Sequence, residues 1–459
     1  MPELLIVGAG PAGLAAAAKA TDLGLECWVV DENRQTGGQY YRRSPWAPSA
    51  SVAATDRWTR GLALEAKAQS AAVFHLGCSV VGLDDDLRLW IDRGDRLESV
   101  SPKCLLLATG AHDRPIAFPG WTLPGVMSSG AAQVLVKAQG MRPGSRAVIA
   151  GVGPFNYLVA THLLEAGVEV AAIVEAATVR HSASSLPAAM RYPERLRELT
   201  RYVAQLAKAR VRIRTGEMVA SAHGAARLEA VTLRPVGDRK DGSRSAHRTV
   251  DADLLCVGYG FAASTELARL AGCALIWDQG LSQRVPAHDE WQATSADRVY
   301  VAGEAGGLGG VNVAEAEGEL AAIGCALHLG HISRSRADSL ARPIWRRLRR
   351  LRRFAALLPR IFPVPGKLAE LVQPETIVCR CENVTYRAVR DAVELHGATS
   401  LNELKTTTRC GQGWCQGRIC GSVLPPLMAR YGVAFDSNTE LSVRNPIRPI
   451  SVASALAAP

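Results

Sequence analysis

The sequence predicts an α/β protein: two Rossmann-like dinucleotide-binding domains, the second inserted in the first, followed by a small cysteine-rich domain. Three observations carry this prediction. The apolar run Leu4 to Val7 leads directly into a glycine turn, Gly8-Ala9-Gly10-Pro11-Ala12-Gly13. The same order of strand, glycine turn, helix, strand and acid returns between Ala147 and Glu175. Five of the 11 cysteines fall between Cys379 and Cys420.

Each residue of the first turn has a physical role. Gly8 permits the turn, Gly10 lets the backbone approach a pyrophosphate, and Gly13 lets helix and strand pack closely. The alanine-rich Leu14 to Ala20 reads as the helix, and its N-terminus, opened by Pro11 and Ala12, offers free N–H groups and a partial positive charge to phosphate. The second strand, Cys27 to Val30, runs into Asp31, where a ribose-binding carboxylate belongs. Next comes Gly37-Gly38-Gln39, a turn placed to pass beneath a second part of the same cofactor. Cys104 to Ala108 is another buried-strand run and ends in Thr109-Gly110.

Residues 116–140 form a proline-punctuated crossing followed by a short helix, and there the opening pattern repeats. Ala147 to Ala150 is a strand, Gly151 and Gly153 open a turn, Val159 to Ala166 is helical, and Ile173-Val174 runs into Glu175. Asn156 replaces the third glycine. Its side chain is expected to push helix from strand, which disfavours nicotinamide at this turn and favours a structural copy or a site for another nucleotide. Leu254 to Val257 and Val299 to Ala302 are further buried strands. The latter leads into Gly303-Glu304 and a helix from about Val313 to Leu327. The expected domains are therefore 1–115 with 252–330, and an inserted 116–251.

The net charge of +10 is concentrated. Residues 331–360 hold ten arginines against Asp338 alone, and Ile344, Leu348, Leu351, Ala355 and Leu358 recur there at helical spacing between Pro343 and Pro359. Residues 331–372 are thus expected to be a basic amphipathic helix and linker, surrounded by solvent on its arginine face or docked there on an acidic partner. No aromatic interleaving supports nucleic acid. The charge-free stretch 115–136 is broken by Pro115, Pro119 and Pro124, so no transmembrane segment is expected. Glu3 ahead of the first apolar run argues against a secretion signal, and a cytoplasmic location is the expectation, with a peripheral position at the inner membrane face as its variant.

Cys27, Cys78, Cys104, Cys256, Cys273 and Cys325 sit in apolar surroundings and read as core residues. Cys379, Cys381, Cys410, Cys415 and Cys420 are ligand candidates. A C-x-C pair followed by a second closely spaced set suits an iron–sulfur cluster held from two loops. Zinc competes, although its usual C-x-x-C knuckle is absent from the sequence, and a disulfide network is the bland reading.

At this point a family resemblance becomes specific. Thr109-Gly110 after its strand looks like the return strand of two-dinucleotide flavoproteins. CRCE, a short helix and TRCGQGWCQGRIC resemble the bacterioferritin-associated-ferredoxin type of 2Fe-2S domain. That domain is fused to flavoproteins such as the A or alpha subunits of opine oxidases and hydroxyproline dehydrogenases, and the B subunit of hydrogen cyanide synthase. The likeness extends through ATGAHDRPIAFPGW, LPGV, GVGP and the tail RNPIRPI.

The resemblance implies a two-domain FAD flavoprotein with a 2Fe-2S domain at 373–425 and a tail at 426–459. It implies cluster ligands Cys379, Cys381, Cys415 and Cys420, with Cys410 an extra thiol, and a Glu304 contact to the ribityl or phosphate region. Glycines 411, 413 and 417 would let N–H groups approach the sulfurs. It further implies a flavin and iron–sulfur electron-transfer subunit of a heteromeric, acceptor-linked dehydrogenase acting on a C–N bond of an opine, hydroxyproline or glycine type of substrate. Its partners would be an amino-acid-oxidase-like, FAD-containing beta subunit, a small third subunit, and a downstream acceptor or respiratory chain. A second nucleotide, NAD(P) or ATP, or FMN at a subunit interface, remains open. So do a stand-alone NAD(P)H-dependent flavin or ferredoxin reductase and a non-catalytic Fe–S sensor or assembly protein. No catalytic base or nucleophile is identified, and His112 reads as structural.

Overall fold

A computed structural model of the chain describes residues 1–43, 56–178, 187–237, 247–278, 280–433 and 440–457. It comprises two compact units. One contains Met1–His112, Ala262–Ala356 and Val443–Pro459; the other contains Asp113–Phe261 and Leu357–Ser442.

The first unit is built on a five-stranded parallel sheet in the order Val299–Val301, Cys104–Leu107, Leu4–Val7, Cys27–Asp31, Val73–Leu76. Leu4–Val7 has a neighbour on each side and is fully buried, which is why its sequence is a continuous apolar run and not an alternation. Its register sets Val7 beside Val30 and Leu107, so three strands end together at Gly8, Asp31 and Ala108. Strand order reverses there, and open α/β sheets bind ligands at such carboxyl ends. The helices Pro11–Asp22 and Val311–His328 approach through small residues: a methyl group on Gly318 would lie 2.1 Å from Ala12 O.

The basic helix spans Arg334–Ala355, so Pro343 lies inside it and does not open it as expected. Ser333 is the true N-cap, its hydroxyl accepting the Arg336 N–H at 3.3 Å. Ala337, Ala341, Ile344 and Leu348 bury against Trp291, Val313 and Leu320. Pro343 sits on the exposed face, and burial of that apolar stripe keeps the helix continuous across the missing N–H. Arg347 and Arg352 reach Glu319 and Glu317 on the neighbouring helix at 2.7 and 2.9 Å. Arg342, Arg346, Arg349 and Arg353 are exposed.

The second unit repeats the parallel sheet in the order Arg212–Thr215, Glu169–Glu175, Arg146–Gly151, Leu254–Gly258, Val126–Ser128. The cysteine-rich segment shares this unit's core: Val378, Leu404 and Leu424 belong to one cluster with Val148 and Leu255, and Trp121 Nε1 donates to Ile377 O at 2.7 Å. Its elements are the strand Ile377–Cys379 and the helices Tyr386–Glu394, Leu401–Thr408 and Cys420–Met428. The α/β expectation, with one parallel-sheet domain inserted between the halves of another, holds. The six cysteines outside the C-terminal set are all buried. Among the described residues no helix is long and apolar enough to cross a membrane.

Candidate cofactor site

The first glycine turn is shaped by contacts that exclude side chains. Gly8 has φ +109, and a methyl group there would lie 2.3 Å from Ala108 O; one on Gly13 would lie 1.8 Å from Gly8 O. Both positions therefore demand glycine. Gly10 caps the helix Pro11–Asp22 without any side-chain hydrogen bond, so the first-turn N–H groups face outward uncapped, as an anion requires. Gly38 packs on Gly10, where an added methyl would come within 2.8 Å of Gly10 Cα, and Gly37 donates its N–H to Ala9 O at 2.8 Å. The two turns thus form one cradle that a side chain at Gly38 would fill. Gln39 is exposed.

Asp31 is 8% exposed at the end of its strand. Its Oδ2 accepts the Ala9 N–H at 2.6 Å, and its Oδ1 accepts Asn33 N–H and Asn33 Nδ2 at 2.7 and 2.8 Å. Oδ2 keeps a lone pair free for a ribose hydroxyl. Arg42 donates to Asn33 Oδ1 and Gly38 O at 3.1 and 3.3 Å, and Arg448 pairs with Glu32. Burial lowers the affinity of both guanidinium groups for their proton, and the Asp31 charge opposes this. Sequence reasoning missed Asn33, although it lies only two residues past Asp31, and it missed Arg42 and Arg448, which nothing local brings to this strand end.

The return segments complete the unit. Thr109 Oγ1 donates to Ser264 O at 2.8 Å, and Gly110 has φ +68. Gly303, with φ +72, packs on Ala12 and donates its N–H to Glu317 Oε2 at 2.9 Å. Glu304 accepts the Gly310 N–H at 3.0 Å, which ties down its own glycine loop, and burial raises its carboxyl. Glu317, on the helix Val311–His328, is a second carboxylate that holds this loop and was not singled out from sequence; it is 4% exposed and shared between Gly303 and Arg352. Tyr41 and Arg60 both donate to a further buried acid, Glu315.

The second unit repeats the acid-to-turn bond. Glu175 Oε2 accepts the Gly153 N–H and Oε1 the Ala177 N–H, both at 3.0 Å; Ala177 matches Asn33 beside Asp31, while the turn bond falls one residue further on than that of Ala9. Burial pushes Glu175 up to about 7 against those two bonds. Asn156 does not push helix from strand as expected. Its Nδ2 donates to Gly258 O and Val152 O at 2.9 and 3.3 Å, and its Oδ1 accepts Ser129 Oγ at 2.8 Å. The amide is a buried clip between helix and sheet.

In the cysteine set, Cys379, Cys410 and Cys420 are buried while Cys381 and Cys415 are half-buried. Cys410 and Cys420 lie beside Cys379, and Cys415 lies beside Cys381. Cys379 is drawn well below its ordinary range by Cys410, then Cys420, with help from the N–H groups of Gly411 and Glu382. Cys410 and Cys420 are pushed up, first by their bonds to Cys379 and then by burial. A methyl group on Gly413 would lie 2.4 Å from Cys381 Cβ, and Leu441 covers Gly411 and Gly417. Among the described residues no group of three or more His, Cys, Asp and Glu side chains is placed to hold a metal ion. The donor set nevertheless fits a cluster of two irons in its chemistry: soft thiols brought from two loops, with N–H groups aimed at sulfur. His112 is half-buried in the strand Ala111–Asp113.

Comparison with known proteins gives the family of each part of the chain. Residues 2–318 match the pyridine nucleotide-disulphide oxidoreductase family, and residues 377–429 match the BFD-like 2Fe-2S binding domain. The A subunit of opine oxidase from Rhizobium meliloti is 31% identical, covering 98% of this chain and 86% of its own. The HcnB subunit of hydrogen cyanide synthase from Pseudomonas aeruginosa is 34% identical, covering 97% and 96%. L-proline dehydrogenase from P. horikoshii shares the fold at a TM-score of 0.72 with 21% identity, over 98% of this chain and 78% of that one. The chain belongs to the pyridine nucleotide-disulphide oxidoreductase family, alongside HcnB and the A subunit of opine oxidase, and is a FAD-type oxidoreductase with a C-terminal BFD-like 2Fe-2S domain.

Proposed function

We propose that this chain is the flavin and iron–sulfur subunit of a heteromeric, acceptor-linked amino-acid dehydrogenase, and that a partner subunit oxidises the C–N bond. One observation carries the reading. A single chain holds both the glycine cradle with Asp31 and, in its other unit, five thiols on two loops. The near full-length similarity to HcnB and to the A subunit of opine oxidase supports it. So does the similarity of the alpha subunit of sarcosine oxidase, which matches 62% of this chain at 28% identity.

FAD, when bound, exchanges two electrons, and a 2Fe-2S cluster passes them singly, which couples hydride-type oxidation to a one-electron carrier. In this reading Gly8, Gly10 and the first turn of Pro11–Asp22 hold the pyrophosphate, Asp31 orients the ribose, and Gly38 leaves room for the cofactor's backbone approach. Cys379, Cys381, Cys415 and Cys420 ligate the cluster. The partner is an amino-acid-oxidase-like subunit, and an opine, hydroxyproline or glycine type of substrate is oxidised there.

The deciding experiment is the visible spectrum of the chain purified without air, with iron and sulfide counted against flavin. Two irons and two sulfides per flavin support the relay. Flavin without iron would leave the cysteines as a zinc or thiol site and defeat it.

A second reading has its own observation, the repeated acid-to-turn bond at Glu175 and Gly153. In it the chain is a reductase using NADH or NADPH at that turn. Bleaching of the flavin by either nucleotide in the isolated chain would favour this reading, and an unchanged spectrum would remove it.

A further inference from the structure

The residues after Ser442 leave the cysteine-rich segment and belong to the first unit. They are fastened there at successive points. Asn445 Oδ1 accepts the Leu83 N–H at 3.2 Å, and its Nδ2 donates to Leu83 O and Asp84 Oδ1 at 3.0 and 2.9 Å. The side chain therefore pairs with the strand Ser79–Leu83 as an added strand residue would. Gly82 makes the seat: a methyl group there would lie 2.8 Å from Asn445 Oδ1. Ile447 donates its N–H to Val81 O at 2.7 Å and is buried in the same cluster as Val7 and Val30. Further on, buried Ser454 donates to Asp92 Oδ1 at 2.8 Å.

Arg448 is the charged residue that this fastening delivers. The strand Ser79–Leu83 starts beside Asp31, because Cys78 donates its N–H to Asp31 O at 3.0 Å. Ile447 on Val81 therefore brings Arg448 to the end of the strand Cys27–Asp31, where it pairs with Glu32, the residue next to Asp31. Arg42 reaches the same strand end through Asn33, whose Oδ1 it meets at 3.1 Å while the Asn33 N–H groups bond the Asp31 carboxylate. Two guanidinium groups are thus held on Glu32 and Asn33, beside the ribose-position acid in the chain. The Asp31 carboxylate already accepts three N–H bonds, so it has little need of them as partners. A guanidinium has five donors and a flat face, and pairing with Glu32 occupies only part of that capacity. Adenosine supplies what remains: ribose oxygens as acceptors and an adenine face for stacking.

We infer that the C-terminal tail is part of the flavin site, and that Arg448, set by Asn445 and Ile447, is a positioning residue for the adenosine half of FAD. The inference rests on the reading that the first unit binds FAD. It assigns a function to the RNPIRPI segment, which the electron relay leaves unused, and makes Arg448 and Arg42 the cationic wall of the adenosine end.

The test is FAD affinity of the full chain stripped of flavin, by fluorescence titration, with iron per chain as an internal control. Arg448→Ala should weaken FAD roughly tenfold to a hundredfold, the range of one charge-assisted contact. ADP, which carries the adenosine half alone, should lose the same factor. Arg448→Lys should recover part of it, since charge returns without the planar face. Iron per chain and the unfolding midpoint should stay unchanged, which separates lost contact from lost fold. A chain ending at Ser442 should release FAD. If that chain loses iron as well, its fold is damaged and the Arg448→Ala result decides. Unchanged FAD and ADP affinity in Arg448→Ala overturns the inference while leaving the relay intact. A wild-type chain that takes up no FAD overturns the flavin reading itself, and this inference with it.

Discussion

Asn156 Nδ2 donates to Gly258 O at 2.9 Å, across the gap that a glycine closes in the first turn. The room for this amide comes from the strand and not from the helix. A methyl group on Gly258 would lie 2.2 Å from Asn156 Oδ1 and 2.6 Å from Ser129 Oγ. Gly258→Ala should therefore destabilise the protein by about 1–3 kcal/mol through overpacking. Asn156→Ala should cost a similar amount, about 1–3 kcal/mol, by removing the acceptor of the buried Ser129 hydroxyl and one of the two donors to Gly258 O, which keeps the Val152 N–H. The double variant should cost less than the sum, because removing the amide frees space for the methyl. Urea unfolding of the three variants checks this, and strict additivity would contradict it.

Glu175 gives a pH dependence whose sign is set by burial. Its folded pKa, about 7, lies above the ordinary 4.5, so the folded state holds the extra proton between these values. The stability this group contributes is full below about pH 4.5, falls as pH rises to about 7, and is then lost. The span corresponds to about 3 kcal/mol. Glu175→Gln should flatten that part of the stability profile, even if the amide's poorer fit to two N–H donors lowers the whole curve. Unfolding free energy measured from pH 4 to 8 is the check, and an equal slope in both proteins would refute the assignment.

Cys415→Ser should abolish the 2Fe-2S absorbance and rhombic spin signal, whereas Cys410→Ser should keep them. Cys410 stands beside Cys379, and that proximity alone does not make it a ligand. Iron per chain and the low-temperature spin spectrum of single Cys410 and Cys420 variants decide the matter. If the cluster survives in Cys420→Ser and is lost in Cys410→Ser, the ligand set must be revised.

Arg352 and Glu317 tie the basic helix to the Gly303 loop. Glu317 is 4% exposed and accepts from the Gly303 N–H and from Arg352, so loss of Arg352 removes the cation that pairs with it. Arg352→Met should cost about 1–3 kcal/mol, and Glu317→Gln in that background should recover part of the loss by removing the unpaired charge. Thermal unfolding of the double-mutant cycle measures this. Equal effects of Arg352→Met in both backgrounds would show that the pair is not coupled.

Sequence alone determined the duplicated α/β architecture, the two glycine turns with Asp31 and Glu175 beyond them, and the candidate thiols. These features are local: a positive φ at Gly8, an apolar run buried on both faces, or a C-x-C spacing is written within a few residues. Tertiary structure decided what those residues meet. Asn156 reads locally as a wedge, and becomes a clip because Gly258, far along the chain, lacks a side chain. Pro343 reads locally as a helix start, and is carried inside a helix because the apolar stripe on either side of it is buried. Arg448 reads as part of a plain tail, and reaches Glu32 because Asn445 and Ile447 pair with a strand more than 300 residues earlier. Pairings of charge and amide depend on which segments the packed sheets bring together, and no periodicity or spacing encodes that.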